Sequence, residues 1–342
     1  MPYVSRDLIR LTDDHAEAAL ALEQETADAA VGSADTATTA LVRRMLTAWV
    51  AAFGSPDAEA GDPGIVRRLL ASARAAVRRI LGQLAVRAGN VLTAVLPDAV
   101  ALGVRQAGET IAAAAGRPRR ASEVRPGREL AAAVGRVAEM VRERRDRALA
   151  LLHPERVSRW SDVLAGLGAA RAAVAAVRAQ AALVVHTGAN DGGRAVADAA
   201  GLGRLWVAEA DACVNCLAYA GRIAPVGTGF PGGLSWDPRQ RRTGVPAVQG
   251  PPLHPNCRCR AIPWSVRWTP SGIPFPEAVQ READRAIGYG RARASESRAA
   301  RVRAARELLR TGEDLLPDVE ARARAASHER PVPGRRIDPG AP

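Results

Sequence analysis

Every one of the four cysteines in this 342-residue chain lies between Cys213 and Cys259. A disulfide framework would spread its cysteines over the fold it staples, so this confinement marks one local site instead. It also divides the chain by chemistry. The segment from Leu205 to Trp268 holds all the cysteines, four of the six tryptophans (Trp206, Trp236, Trp264 and Trp268) and many glycines and prolines. That mixture is expected to fold as a compact, loop-rich module with short strands at 205–208 and 261–264. Elsewhere the apolar residues are small: 47% of the chain is hydrophobic but only 4% is aromatic, and alanine dominates the difference. Small side chains suit helix interfaces better than strands. The expected fold class is therefore mainly α, a helical N-terminal body with a small α+β cysteine-containing C-terminal module.

Periodicity fills in the body. Residues 5–31 are alanine-rich and read as a helix that needs a partner. Leu41, Met45, Trp49 and Phe53 repeat every four residues with Val42, Leu46 and Val50 beside them, and Gly54-Ser55-Pro56 ends that stripe. Ile65, Leu69, Val77, Ile80, Leu81 and Leu84 mark a further helix that Gly89-Asn90 is expected to end, with Pro97-Asp98 opening another to Ala115. A basic loop is expected over 117–128, then helices over 129–152 and 155–185, broken at His153-Pro154. Gly188 to Gly193 lacks the Lys-Ser/Thr of a phosphate loop and reads as a hinge. Gly227 to Pro252 is too rich in glycine and proline for regular structure, and a basic helix is expected from Pro276 to about Arg310. The segments are then a helical body over 1–189, a cysteine module over 190–270, a basic helical extension over 271–329 and a disordered tail over 330–342.

Charge constrains partners. The 48 cationic residues outnumber the 36 acidic ones to give a net +12, and every cation is arginine. Codon bias toward arginine and alanine explains that uniformity as readily as selection for phosphate binding does, yet the excess charge favours polyanions in either case. Sequence-independent contact with DNA is expected, since no base-reading motif is apparent. The run Arg142, Arg144, Arg145 and Arg147 reads mainly as a solvated helical face. Met1 to His15 lacks the apolar core of a signal peptide, and Arg171 and Arg178 interrupt the longest apolar stretch, so no membrane contact is expected.

The chemistry concentrates in Asp211-Ala212-Cys213-Val214-Asn215-Cys216, then Gly221-Arg222, then Pro251-Pro252-Leu253-His254-Pro255-Asn256-Cys257-Arg258-Cys259. Two thiolates two residues apart can grip one metal from a single turn. Cys257 and Cys259 can share a face of an extended strand, with His254 arriving from the preceding turn. Cys213, Cys216, His254, Cys257 and Cys259 thus supply five donors for a tetrahedral structural zinc that needs four. Reduced packing cysteines and disulfides are the alternatives.

This D-x-C-x-x-C, G-R, P-P-x-H-P-N-C-R-C arrangement resembles the C-terminal domain of the phage Mu F-like head morphogenesis proteins, the minor capsid or minor head proteins. The close resemblance covers residues 204–264, and the HPNCRC run is its most specific part. The long Gly227 to Gly250 insert and the basic segment after residue 276 depart from the compact family pattern. The resemblance implies a component of a tailed-phage or prophage virion, held in the capsid interior or near the portal and present in the host cytoplasm before assembly. It implies portal and coat proteins as partners, a structural role in procapsid assembly and DNA packaging or delivery, and no catalysis. Three other readings compete: a zinc-ribbon nucleic-acid-binding protein, an HNH-like nuclease using His254, and a thioredoxin-like use of Cys213 and Cys216. Against the nuclease, the residues flanking His254 offer no carboxylate or second histidine. His15, His153, His186 and His328 lack ligand partners at useful spacing.

Overall fold

The structure, a computed structural model, describes residues 5–116, 124, 125, 127–268, 274–290 and 296–328. Most of the basic loop expected over 117–128 and the whole tail expected over 330–342 lie outside the described residues. The chain is mainly α with a small α+β module near its C-terminal end. In chain order the elements are α1 (Ser5–Val31), α2 (Ala34–Phe53), α3 (Pro63–Ala115), α4 (Arg128–Gly135), α5 (Val137–Leu151), α6 (Trp160–Ala199), β1 (Gly203–Val207), α7 (Val214–Leu217), β2 (Ile223–Ala224), β3 (Arg260–Trp264), α8 (Phe275–Gly288), α9 (Arg298–Thr311) and α10 (Pro317–His328). Contacts divide the chain differently from a linear split at residue 189. Ala19–Ala99 and Arg125–Gly188 form a helical unit, while Met1–Ala18, Val100–Val124 and Ala189–Pro342 form a mixed unit.

In the helical unit the apolar stripe of α2 is buried at Leu41, Met45 and Trp49, and Gly54 ends the helix in a left-handed conformation (φ 88°). Trp49 packs on Phe53 and Trp160 with ring centroids 4.6 and 6.4 Å apart. The helix expected to stop at Gly89-Asn90 does not stop. Leu70, Ala73, Val77, Leu81, Leu84, Ala88, Leu92 and Leu96 stay buried at a spacing of three or four residues straight through it. Gly89 is only half-buried, and Asn90 and Pro97 face outward, so the breakers sit off the packed seam. Pro97 costs α3 one backbone donor, and the Thr93 carbonyl it would have served is on an exposed turn where water can reach it. Burial along one seam outweighs local helix-breaking propensity here. The helix expected over 129–152 is divided at Arg136, and the one expected from Glu155 begins at Trp160, after a 3-10 turn at Pro154–Arg156. The Asp162 carboxylate accepts from the Ser158 and Arg159 amides at 3.0 Å and fixes that start. By length and apolar content α3 and α6 could each cross a bilayer, and 44% of each apolar window is buried within the protein.

In the mixed unit the expected hinge at Gly188 to Gly193 is helix, the last turns of α6. A Cβ on Gly192 would stand 2.2 Å from the Val100 carbonyl oxygen, and one on Gly103 would stand 1.8 Å from that of Ala189. These glycines exist so that two helix backbones can touch, and flexibility is not their purpose. Next to them Asn190 donates to the Cys259 carbonyl at 3.1 Å and accepts from the Ala261 amide at 2.8 Å. That amide side chain closes the open edge of β3, which is an outer strand in the antiparallel order β2-β1-β3 and so tolerates Pro263. The register pairs Leu205 with Ile262 and Trp206 with Ala261. Strand alternation sends Leu205, Val207, Ile262 and Trp264 into one core with Leu8 and Phe275. Trp206, Ala261 and Cys259 go into the other, with Cys216 and Cys257.

One expectation about the rest of this unit is corrected and another holds. The single basic helix from Pro276 to Arg310 is broken: α8 ends at Gly288 and α9 starts at Arg298. Together with α10 these helices place Ala286, Ile287, Ala304, Leu308, Val319 and Ala323 in the core that holds the cysteines. The 227–250 insert lacks long regular elements but is packed. Phe230 is fully buried and meets Trp206 edge to face at 5.1 Å. The Arg204 guanidinium lies over Phe230 at 5.6 Å and donates to the carbonyls of Thr228 and Gln249, so one side chain ties both ends of the insert. Asp237, fully buried, takes a bidentate pair from Arg303 at 2.8 Å, and Arg241 reaches Glu307 at 2.7 Å.

Backbone contact at α3 and α6 makes opposite outcomes expected for two glycine substitutions. Gly192→Ala should destabilise by about 1–3 kcal/mol or more through overpacking. Gly168→Ala, where a Cβ meets nothing within 4 Å, should stabilise by about 0.5–1 kcal/mol. Urea denaturation of both variants checks this, and equal effects would contradict it. Acid should loosen the insert. Hydrogen bonds from Arg310 and Arg241 hold the Glu307 carboxyl down at about 2, against an ordinary 4.5, so this pair stabilises fully above the unfolded value and is lost as pH falls toward 2. The Glu307→Gln variant should show a shallower loss of stability between those limits in acid titration followed by tryptophan fluorescence.

Candidate metal centre

Three local structures deliver the donors. Cys213 precedes the single turn of α7 with extended backbone, and Cys216 lies within that turn, so the C-x-x-C spacing aims both sulfurs one way. A tight turn carries the second group: the Cys257 amide donates to the His254 carbonyl at 3.0 Å, and Asn256 takes the left-handed backbone (φ 73°) that asparagine tolerates better than most residues. Cys257 and Cys259 then lead into β3, both buried and one residue apart, as an extended segment allows.

All five expected donors meet. His254 Nε2 is 3.3 Å from Cys213 Sγ and 3.4 Å from Cys216 Sγ, and Cys216 Sγ is 3.6 Å from Cys257 Sγ. The donors form two triads, Cys213–Cys216–His254 and Cys216–Cys257–Cys259, each with its ligand atoms within 4.8 Å of one another, and Cys216 belongs to both. Around a tetrahedral zinc the sulfur–sulfur and sulfur–nitrogen separations are about 3.8 and 3.5 Å, from bonds of about 2.3 and 2.0–2.1 Å. The observed contacts, 3.3 and 3.4 Å from sulfur to nitrogen and 3.6 Å between sulfurs, are slightly shorter than these separations. All four cysteines are free thiols, so disulfides are not the form present. The residues can hold a metal ion.

The electrostatics suit a cation. A hydrogen bond from Cys216 and another from His254 bring Cys213 down to about 4, although burial opposes them. Hydrogen bonds from Cys216 and Cys259 bring Cys257 down to about 2 against the same opposition. Cys216 is pushed up, mainly by hydrogen bonding to Cys213 and Cys257. Cys259 is also pushed up: its contact with Cys216 works to lower it, but Cys257 and full burial prevail. The Cys213 contact raises His254. Thiols held low at Cys213 and Cys257 therefore crowd against thiols pushed high at Cys216 and Cys259, with the raised His254 imidazole beside them. A soft dication would replace those shared protons and take all the donors in their deprotonated form.

Sequence reasoning missed what surrounds the donors. Glu296 accepts from the Val214 amide with both oxygens, at 3.1 and 3.2 Å, and so anchors the start of α7 from far along the chain. Burial pushes its carboxyl up to about 7. No spacing rule could have linked it to Cys213. Tyr219 stacks on Trp206 at 4.7 Å, and both belong to the buried core that contains Cys216. Gly221 of the G-R pair has φ 75°, and a Cβ there would stand 2.5 Å from the Pro276 carbonyl oxygen, so this glycine lets α8 approach. Asp211 of the D-x-C motif is exposed and is not among the grouped donors.

The other histidines lie elsewhere, as expected from their spacing. His15 pairs with Glu109 at 2.8 Å, His186 with Glu23 at 2.9 Å and His153 with Glu155 at 3.7 Å. Of the four tryptophans in the cysteine-bearing segment, Trp206 and Trp264 are buried core residues, stacked within their own clusters and closed to any nucleic-acid base. Comparison of the chain with protein-family models, with curated proteins and with solved structures found no match.

Proposed function

We propose that this chain is a minor capsid, head morphogenesis protein of a tailed phage or prophage, with a structural role near the portal and a structural zinc that organises its mixed unit. One observation carries the proposal. The HPNCRC run, the most specific part of the resemblance to the Mu F-like proteins, folds against the D-x-C-x-x-C turn into one cluster of donors. Cys213, Cys216, His254, Cys257 and Cys259 would hold the ion, and it would supply folding free energy with no chemical turnover. The partners are portal and coat proteins, and the cationic excess supports DNA contact that is independent of sequence and weakens steeply with salt. No membrane partner is proposed, because the apolar seams of α3 and α6 supply much of the protein's own core. Assembly from the host cytoplasm into the virion is the location this role requires.

The geometry weighs against catalysis. His254 Nε2 lies within 3.4 Å of two sulfurs, and among the described residues no carboxylate joins either donor triad, which favours a metal-holding role for His254 over that of a general base. A zinc-ribbon nucleic-acid-binding protein is the second reading, favoured by the net charge alone. Burial of Trp206 and Trp264 removes two of the four stacking surfaces it would use.

Protein purified without added metal should contain about one zinc per chain by elemental analysis. Cys213→Ser should unfold the mixed unit at lower temperature while most helical signal persists in circular dichroism. A metal-free protein of undiminished stability would remove zinc from the proposal and leave packing thiols. For the role itself, co-expression with the neighbouring portal and coat proteins should place the chain in sedimenting shells that contain portal, in substoichiometric amount, and far less in portal-free shells. Absence from every particle, or metal-dependent DNA cleavage abolished by His254→Ala, would overturn it.

A further inference from the structure

The metal centre leaves one feature of the mixed unit without a use: a cavity of about 340 Å³ walled by α7, α8, α9 and the 227–250 insert. At roughly 30 Å³ per water, that is room for several molecules, and it falls at the lower end of the range of roughly 300–1,000 Å³ for small-ligand sites. Leu217, Leu234 and Ala283 give it apolar walls. Two polar atoms on its lining residues are buried without any hydrogen-bond partner, the Asp284 Oδ1 acceptor and the Trp236 Nε1 donor. Buried polar groups are nearly always paired, so an orphan acceptor on a cavity-lining residue asks what completes it.

The charges on the wall narrow the answer. Glu307 is already satisfied, by Arg241 and Arg310 at 2.7 Å each. Asp284 is not: among the described residues no cation lies within ion-pair distance of it. Burial accordingly pushes its carboxyl up to about 6, with Arg281 the one charge drawing it back. At neutral pH it is still mostly ionised, a negative charge on a half-open cavity that it shares with Trp236, with the Arg241–Glu307 pair and with the exposed Arg222. A carboxylate, an aromatic wall and aliphatic surface together form the environment that stabilises a desolvated organic cation.

We propose that this cavity binds a small organic cation, an alkylammonium or guanidinium group, with Asp284 as its counter-ion and Trp236 as its aromatic wall. The site is separate from the metal centre and independent of the role in head assembly. Asp284 lies one helical turn beyond Gln280, and both line the cavity, so the charge sits on the face of α8 turned toward it.

Ligand-observed NMR on the full chain tests this with three probes of one size: n-butylammonium, n-butanol and butyrate. Butylammonium should bind saturably and about ten-fold or more tighter than butanol, because the alcohol fills the same space without the charge. That comparison needs no variant. Asp284→Asn should then lose about ten-fold or more of the butylammonium affinity with metal content unchanged and thermal stability no lower, since it removes an uncompensated charge. Equal affinity for butylammonium and butanol would overturn the proposal. So would a preference for butyrate, which would place the ligand on the exposed Arg222 at the same cavity. Undiminished binding by Asp284→Asn, or no saturable binding of any probe, would do the same.

Discussion

The mixed unit is built around a crowding of sulfur that apolar packing alone does not favour. Cys216 touches Cys257 and His254 while buried in one core with Trp206 and Tyr219. Without a metal its environment must share protons among four thiols and an imidazole, and the opposite displacements of Cys257 and Cys216 express that strain in charge. Much of the C-terminal part of the unit converges on this cluster. β1 and β3 turn one face to it, and α8, α9 and α10 cover it. The Glu296 carboxylate holds the turn that presents Cys213, and the insert is tied at its neck by Arg204 and along its length by Asp237–Arg303. Eight of the nineteen buried residues of this core are alanines, each of which gains little at roughly 25 cal/mol per Å². A metal bound there would supply in one place what many larger apolar residues would otherwise provide.

A second constraint is backbone contact. Gly103 against Ala189 and Gly192 against Val100 bring helices closer than any side chain permits, and Asn190, between them in sequence, closes the edge of β3. The same glycines that look like a hinge therefore fix the helix that supports the cysteine-bearing strand. Composition alone does not separate the two cases, because a glycine cluster serves close approach and flexibility equally well.

Legibility followed the range of the interactions. Strands at 205–208 and 261–264, the α2 stripe and all five donors were readable because each depends on neighbours a few residues away. Helix ends at Asn90 and Glu155 and the single helix from Pro276 to Arg310 were misread where distant packing decided the outcome. Pro97 survives inside α3 because it faces water, and α8 and α9 separate so that Ile287 and Leu308 can both reach one core. Glu296, Arg204 and Arg303 were invisible for the same reason: each acts on a partner that only the fold brings near.

A structural metal joining the two halves of the donor set is the centre of the functional proposal, because it makes the motif a folding device with no catalytic role. X-ray absorption at the zinc edge on the full chain, purified without added metal, addresses it most directly. A four-coordinate shell dominated by sulfur at about 2.3 Å with nitrogen at about 2.0–2.1 Å is the result expected. A shell of oxygen and nitrogen without sulfur, or no bound metal in a stably folded protein, would contradict it.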